Sequence, residues 1–294
     1  MTDPADPALA EAYLTAAGAI KSGDVDTIRR LLAEHPDLAR MRAGDGRTLL
    51  HRVADWPGHF PRELEVAQAL IDAGAALDER AIDPEHGETA LQWAVSSNDA
   101  ALAELLVAAG ASPDGIGGDG RPLAQALFYG SRECANMLVE RGATIDLEFA
   151  AGLGRVDELR GFLAPGGGLT SAAGTHHPPA NDVVEPPAGA GNELLEQALV
   201  YACLFGQTAA ATVLLEHGAD PNTAPSGFPT QASPLHWAAG GGHLDLVELL
   251  VENGANVTAS DPEHGGTPAD WAAHQGHAEV ADRLRALATR RAEN

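Results

Sequence analysis

The sequence predicts an all-α fold, a solenoid of about eight stacked helix-turn-helix units, on three observations. The first is one stretch, residues 233–255 (SPLHWAAGGGHLDLVELLVENGA), which reads as two short helices. Pro234 suits the first turn of a helix, where a missing N–H is no loss, and Leu235, Ala238 and Ala239 form a small apolar face. Gly241 and Gly242 stop that helix. Leu246, Val247, Leu249, Leu250 and Val251 line a second one, which Gly254 ends because glycine takes the left-handed cap conformation without steric penalty. The second observation is repetition. The string GTPADWAAHQGH at 266–277 restates the opening 34 residues later, and TLLHRVA from Thr48 and TALQWAV from Thr89 restate it earlier, with Gly-Ala pairs at 74 and 110. The third is size: a hairpin of about 33 residues cannot bury its apolar face alone, so copies must stack.

The strings SPLHWAAGGGH at 233–243 and LLEHGAD at 214–220 carry a family resemblance. They are similar to the ankyrin repeat, with its Thr-Pro-Leu-His-x-Ala-Ala-x-x-Gly-His core followed by Leu-Leu-x-x-Gly-Ala-Asp. The resemblance implies a rigid solenoid that binds proteins without chemistry of its own.

Taken in order, unit one spans about 9–40 and ends in His35-Pro36 instead of Gly-Ala, as suits a terminal repeat with one polar face. Unit two, 44–77, carries five extra residues between its helices, in the segment 56–61. Units three (83–115) and eight (261–291) open on Asp-Pro-Glu-His-Gly tips, and unit four (118–147) has lost the motif Thr and His. Unit five begins at 148 and breaks off after Leu163. The Gly- and Pro-rich stretch that follows has no helical or strand period. Units six to eight then resume at Glu193, which gives repeats over 9–163, an insertion over 164–192 and repeats over 193–291. Arg283, Arg285, Arg290 and Arg291 suit the negative end of a last helix.

A net charge of −24 argues against nucleic acid and anionic membranes as partners, since phosphate binding needs clustered cations. Lys21 is the only lysine in an Ala-, Gly- and Arg-rich chain, which suggests a GC-rich bacterial genome. The start MTDPADPALA has no signal-peptide pattern and no apolar run reaches membrane-spanning length, so a cytoplasmic protein is expected. Cys134 and Cys203 are then packing thiols.

Trp93, Trp237 and Trp271 share one repeat position and are expected in the core. His51, His236, His243, His277 and His217 fill pattern slots. The tips with Asp83, Glu85 and His86, and with Asp261, Glu263 and His264, read as solvated turns, because one short tip rarely closes a tetrahedral ligand set. No metal and no cofactor is expected.

The informative positions are the two residues that end each first helix, which the resemblance places on the concave, partner-facing side. They are Ser96-Ser97, Gly240-Gly241 and His274-Gln275 in three units, but Asp55-Trp56, Phe128-Tyr129, Gly152-Leu153 and Leu204-Phe205 in the others. With Phe60 from the insertion, the residues Trp56, Phe128, Tyr129, Leu153, Leu204 and Phe205 form an expected binding surface, more apolar than a soluble monomer exposes. A protein partner, a small apolar ligand, the chain's own insertions or a second copy in a homodimer would cover it. The favoured function is a protein-binding scaffold that uses the concave face and the hairpin tips. The alternative is a pocket for a small apolar molecule beneath the 56–61 and 165–192 segments, and if that pocket were catalytic, Asp55, His59, His176 and His177 would be its acid–base residues. No phosphate loop, nucleophile elbow or zinc-protease motif accompanies them.

Overall fold

A computed structural model describes residues 7–56, 58–81, 87–177, 193–228 and 230–292. Among the described residues sixteen α-helices form eight successive pairs, and the chain divides into two compact units, Met1–Thr144 and Ile145–Asn294. The first unit holds α1 (Pro7–Ser22), α2 (Val25–Glu34), α3 (Leu49–Val53), α4 (Glu63–Asp72), α5 (Ala90–Ser96), α6 (Ala100–Ala108), α7 (Arg121–Phe128) and α8 (Arg132–Glu140). Here α1, α3, α5 and α7 pack in one row, and α2, α4, α6 and α8 in a second. The second unit holds α9 (Leu147–Leu153), α10 (Val156–Gly161), α11 (Glu193–Leu204), α12 (Thr208–Glu216), α13 (Pro234–Gly240), α14 (Leu244–Glu252), α15 (Pro268–His274) and α16 (Ala278–Ala292). The row α9, α11, α13, α15 runs beside α10, α12, α14, so the helix pair before the 164–192 insertion packs directly on the pair after it. The boundary between compact units thus precedes the fifth pair, whereas the repeat pattern alone put its break after it.

Short helices need their ends satisfied, and four pairs begin with the same device. The side chain of Thr48, Thr89, Ser233 or Thr267 bonds the backbone three residues on, while His51, Gln92, His236 or Asp270 reaches back to the cap. The Gly-His slot has an equally local cause. Gly206 sits at φ 69° and Gly242 at φ 74°, and a Cβ on either would meet the imidazole of the following repeat, His243 or His277. His243 Nε2 also lies 3.3 Å from the Leu204 carbonyl, so this ring joins one unit to the next.

Between the rows lie leucine, valine and alanine side chains, with Leu49, Leu70, Leu102, Leu106 and Leu138 fully buried in the first unit. Leu199, Leu214, Leu235, Leu250 and Leu284 do the same in the second. Cys134 and Cys203 are buried free thiols in these cores, and burial pushes the Cys134 thiol up to about 12. Residues 54–62 join α3 to α4, where residues 241–243 join α13 to α14, so the extra residues read from the sequence lengthen that one connection. Among the described residues no helix is long and apolar enough to cross a membrane.

Candidate functional site

In the first unit, successive repeats bring their first-helix ends into one cleft of about 440 Å³. Asp55 and Trp56 follow α3, Ser96 and Ser97 end α5, Tyr129 caps α7, and Arg47, Glu88 and Trp93 complete the wall. The equivalence of these positions follows from the repeat period, which returns each helix end to the same face. Trp56 is 83% exposed and Tyr129 53%, and Phe128 supports Tyr129 edge-on at 5.2 Å. Arg47 lies across the Trp93 ring at 4.8 Å and bonds Asp55 at 3.0 Å, so the floor of the cleft is a cation held between an aromatic face and a carboxylate. Burial raises the Glu88 carboxyl above its usual range, against hydrogen bonds from Gln125 and Trp93 that lower it. The cleft therefore offers stacking surfaces and paired charges within one opening.

The second unit contains a buried polar cluster made by the described part of the insertion. The segment after Leu163 turns back through an antiparallel bridge between Leu163 and Leu169, and the Leu147 N–H donates to the Ala173 carbonyl. His176 and His177 then settle on α9 and α11. His176 Nδ1 lies 2.7 Å from Glu148 Oε1 and its Nε2 3.3 Å from the Gly227 carbonyl; His177 Nε2 lies 2.7 Å from Asp146 Oδ2, and its backbone N–H donates to Glu148 Oε2 at 3.0 Å. Tyr201 donates from its hydroxyl to the His177 carbonyl at 2.9 Å, and Phe149 stacks on the His177 ring at 4.8 Å. Glu148 is fully buried, and that burial raises its carboxyl, with the His176 hydrogen bond pulling the other way. From Tyr201 the aromatic contacts continue through Phe228 and Trp237 to Trp271, at centroid separations of 5.2, 6.3 and 5.2 Å.

The expected site residues thus fall into separate places. Trp56, Tyr129 and Asp55 share the first cleft, with Phe128 behind it. Phe60 is half-buried in the 54–62 connection and gives its carbonyl to the Glu63 N–H at 3.1 Å. Leu153 and Leu204 are half-buried in the second unit. Phe205 is a correction: it is 6% exposed, because α11 is packed by α9, α12 and α13 and its last turn is drawn in with them. The tryptophans are a second correction. Trp93, Trp237 and Trp271 are half-buried, since the position after the motif His lies about 100° around the helix from the buried Ala that follows it and about 160° from the buried residue two places before it.

As for the acid–base set, Asp55 is held by Arg47 and Arg52, and His176 has both ring nitrogens engaged in the buried cluster. His59 lies instead beside Glu63 and Asp99. The described tip is a satisfied turn: Asp261 accepts from the N–H groups of Glu263, His264 and Gly266 and from Trp271 Nε1. Desolvation opposes these bonds, but together they hold its carboxyl at about 2. The other tip, with Asp83, Glu85 and His86, lies outside the described residues, as does the 178–192 part of the insertion with Val183 and Val184. Sequence reasoning missed Arg47, Glu88 and Glu148. The first two precede cap residues at equivalent ends of successive repeats, a signal the repeat alignment contains.

A family model described as ankyrin repeats matches residues 14–116, 62–148 and 199–290. Among curated proteins, the bovine cyclin-dependent kinase 4 inhibitor B is 32% identical over 154 residues, covering 52% of this chain and 98% of that protein. Human cyclin-dependent kinase inhibitor 2A is 34% identical over 142 residues, covering 48% of this chain and 76% of its own. Among solved structures, the human ASB11 ankyrin repeat domain is similar at a TM-score of 0.46 and 21% identity, covering 92% of this chain and 96% of that one. With its paired helices, capping boxes and family-model matches over most of its length, this chain belongs to the ankyrin repeat family.

Proposed function

We propose that this protein is a binding scaffold that recognises a protein partner through the cleft between Trp56, Trp93 and Tyr129, on the concave side that first-helix ends line in ankyrin arrays. The observation that carries the reading is the exposure of Trp56 and Tyr129 at equivalent repeat positions around one opening. Large rings left in water serve folding poorly, whereas aromatic anchors beside paired charges are what binding hot spots are made of. The two kinase-inhibitor relatives are, by name, proteins that act on another protein, which supports the same mode. The charge of −24 favours a partner segment that is basic around an apolar anchor, and disfavours nucleic acid and anionic lipid. Two buried free thiols accord with a reducing, cytoplasmic setting.

The test is selection from a random-peptide display library on the full chain, with counter-selection on a Trp56→Ala/Tyr129→Ala variant. Enriched peptides that pair basic with apolar residues and lose binding to the variant are the expected result. Absence of enrichment, or enrichment that the two substitutions leave unchanged, overturns the proposal.

A further inference from the structure

The lengthened α3–α4 connection does more than reach the cleft: it folds His59 over the turn between α5 and α6, the two helices of the next pair. His59 and Arg62 both take left-handed backbone conformations, at φ 56° and 54°. Arg62 turns away to pair with Glu65 at 2.8 Å, whereas His59 faces Glu63, in the first turn of α4, and Asp99, the N-cap of α6. His59 Nδ1 lies 3.5 Å from Asp99 Oδ2 and 3.9 Å from Glu63 Oε1, and one ligand atom of each residue falls within 4.8 Å of the others.

We propose that His59, Glu63 and Asp99 bind one divalent transition-metal ion of the zinc class. The separations fit a single ion: bonds of about 2.1 Å in a tetrahedron put neighbouring ligand atoms about 3.4 Å apart, so small side-chain movements bring all three into range. An independent observation also points to a cation. Asp99 is 3% exposed, and while its Oδ1 accepts the Leu102 N–H at 3.0 Å, its Oδ2 is buried with no hydrogen-bond donor among the described residues. Glu63 Oε2 is buried and undonated in the same way.

Two carboxylates that face each other away from water are stabilised by a shared proton or by a positive partner, and the only basic group ion-paired with either one among the described residues is the His59 ring. The capping bond at Asp99 Oδ1 holds that carboxylate in place, as supporting hydrogen bonds do for metal ligands. One imidazole nitrogen with two carboxylate oxygens suits a borderline ion, while calcium and magnesium favour oxygen-only shells of six or more ligands. His59, whose side chain is 60% exposed, leaves the remaining position open to water. Bound there, the ion would tie the connection of the second pair to the third.

The test uses the full chain without an affinity tag, stripped with a chelator and titrated with zinc by calorimetry and with cobalt by visible absorption. One equivalent at micromolar metal is expected, with intense tetrahedral cobalt bands, a higher melting temperature and no competition from millimolar magnesium. His59→Ala, an exposed position, and Glu63→Gln should each weaken binding at least about tenfold, with circular dichroism unchanged. Absence of uptake overturns the proposal, and so does uptake that both substitutions leave intact, which would place the ion on other histidines.

Discussion

His51 Nε2 lies 3.0 Å from the carbonyl oxygen of Glu88, 37 residues further along the chain, while Nδ1 of the same ring accepts the Thr48 N–H at 3.2 Å. One imidazole therefore closes the cap of its own helix and fastens its repeat to the next. The pattern requires the neutral ring with its proton on Nε2. Burial lowers the His51 pKa from 6.5 to about 4, aided by Arg42 and Arg47 and opposed by the bond to Glu88. Below about 6.5 the unfolded ring gains a proton that the folded ring refuses until about 4, so this contribution is complete above pH 6.5 and is lost as pH falls toward 4. The loss amounts to about 3 kcal/mol. Urea unfolding between pH 7 and pH 4 should show it, and His51→Gln should flatten that dependence, since Gln92 already serves the same box in the next repeat. An unchanged midpoint from pH 7 to pH 4 contradicts the assignment.

Gln92 closes its box but leaves its Nε2 buried and without a hydrogen-bond partner. His51 and His236 both reach the following repeat from this position. Gln92→His should therefore raise stability by about 1 kcal/mol, the usual net value of one recovered hydrogen bond. Denaturant midpoints of the two proteins decide it, and a loss of stability shows that the Thr89 box has no acceptor in reach.

Trp56 and Tyr129 should matter little to folding. Each ring is more than half exposed, so Trp56→Ala and Tyr129→Ala are expected to move unfolding free energy by no more than about 0.5 kcal/mol. Trp93→Ala removes the half-buried ring under Arg47 and should cost more. Thermal melts of the three variants rank them; a large loss at Trp56 assigns that ring to packing.

Glu148 should be the most sensitive single site in the second unit. Glu148→Ala leaves the His176 ring and the His177 N–H without their acceptor in a buried setting, at a cost of about 3 kcal/mol or more. Hydrogen exchange should rise first in residues 164–177, and Glu148→Gln, which keeps an acceptor, should lose less. Gly227→Ala attacks the same seat from the other side, since its Cβ would collide with the His176 ring at φ 92°. Unaltered exchange in 164–177 for Glu148→Ala refutes the role.

These cases also mark where the sequence was readable. Leu235, Ala238, Gly242 and His243 are set by contacts within a repeat or one period away, so the pattern that returns every 33 or so residues announces them. Glu148 and His176 meet across 28 positions, His176 and Gly227 across 51, and none of these spacings is a repeat period. Periodicity is silent about a segment that breaks it. The tryptophans were misplaced for a different reason: the period fixes that three rings are equivalent, but the 100° step of the helix fixes which way they point. His59 was visible as a candidate and Asp99 was not; only the left-handed turn in the connection makes them neighbours.

The direct packing of α9 on α11 and of α10 on α12 separates the continuity of the stack from the continuity of the backbone. A peptide-bond cut between residues 178 and 192 would sever the chain without severing any of these helix faces. The two fragments should co-purify, and new termini or a guest domain grafted there would inherit an intact array.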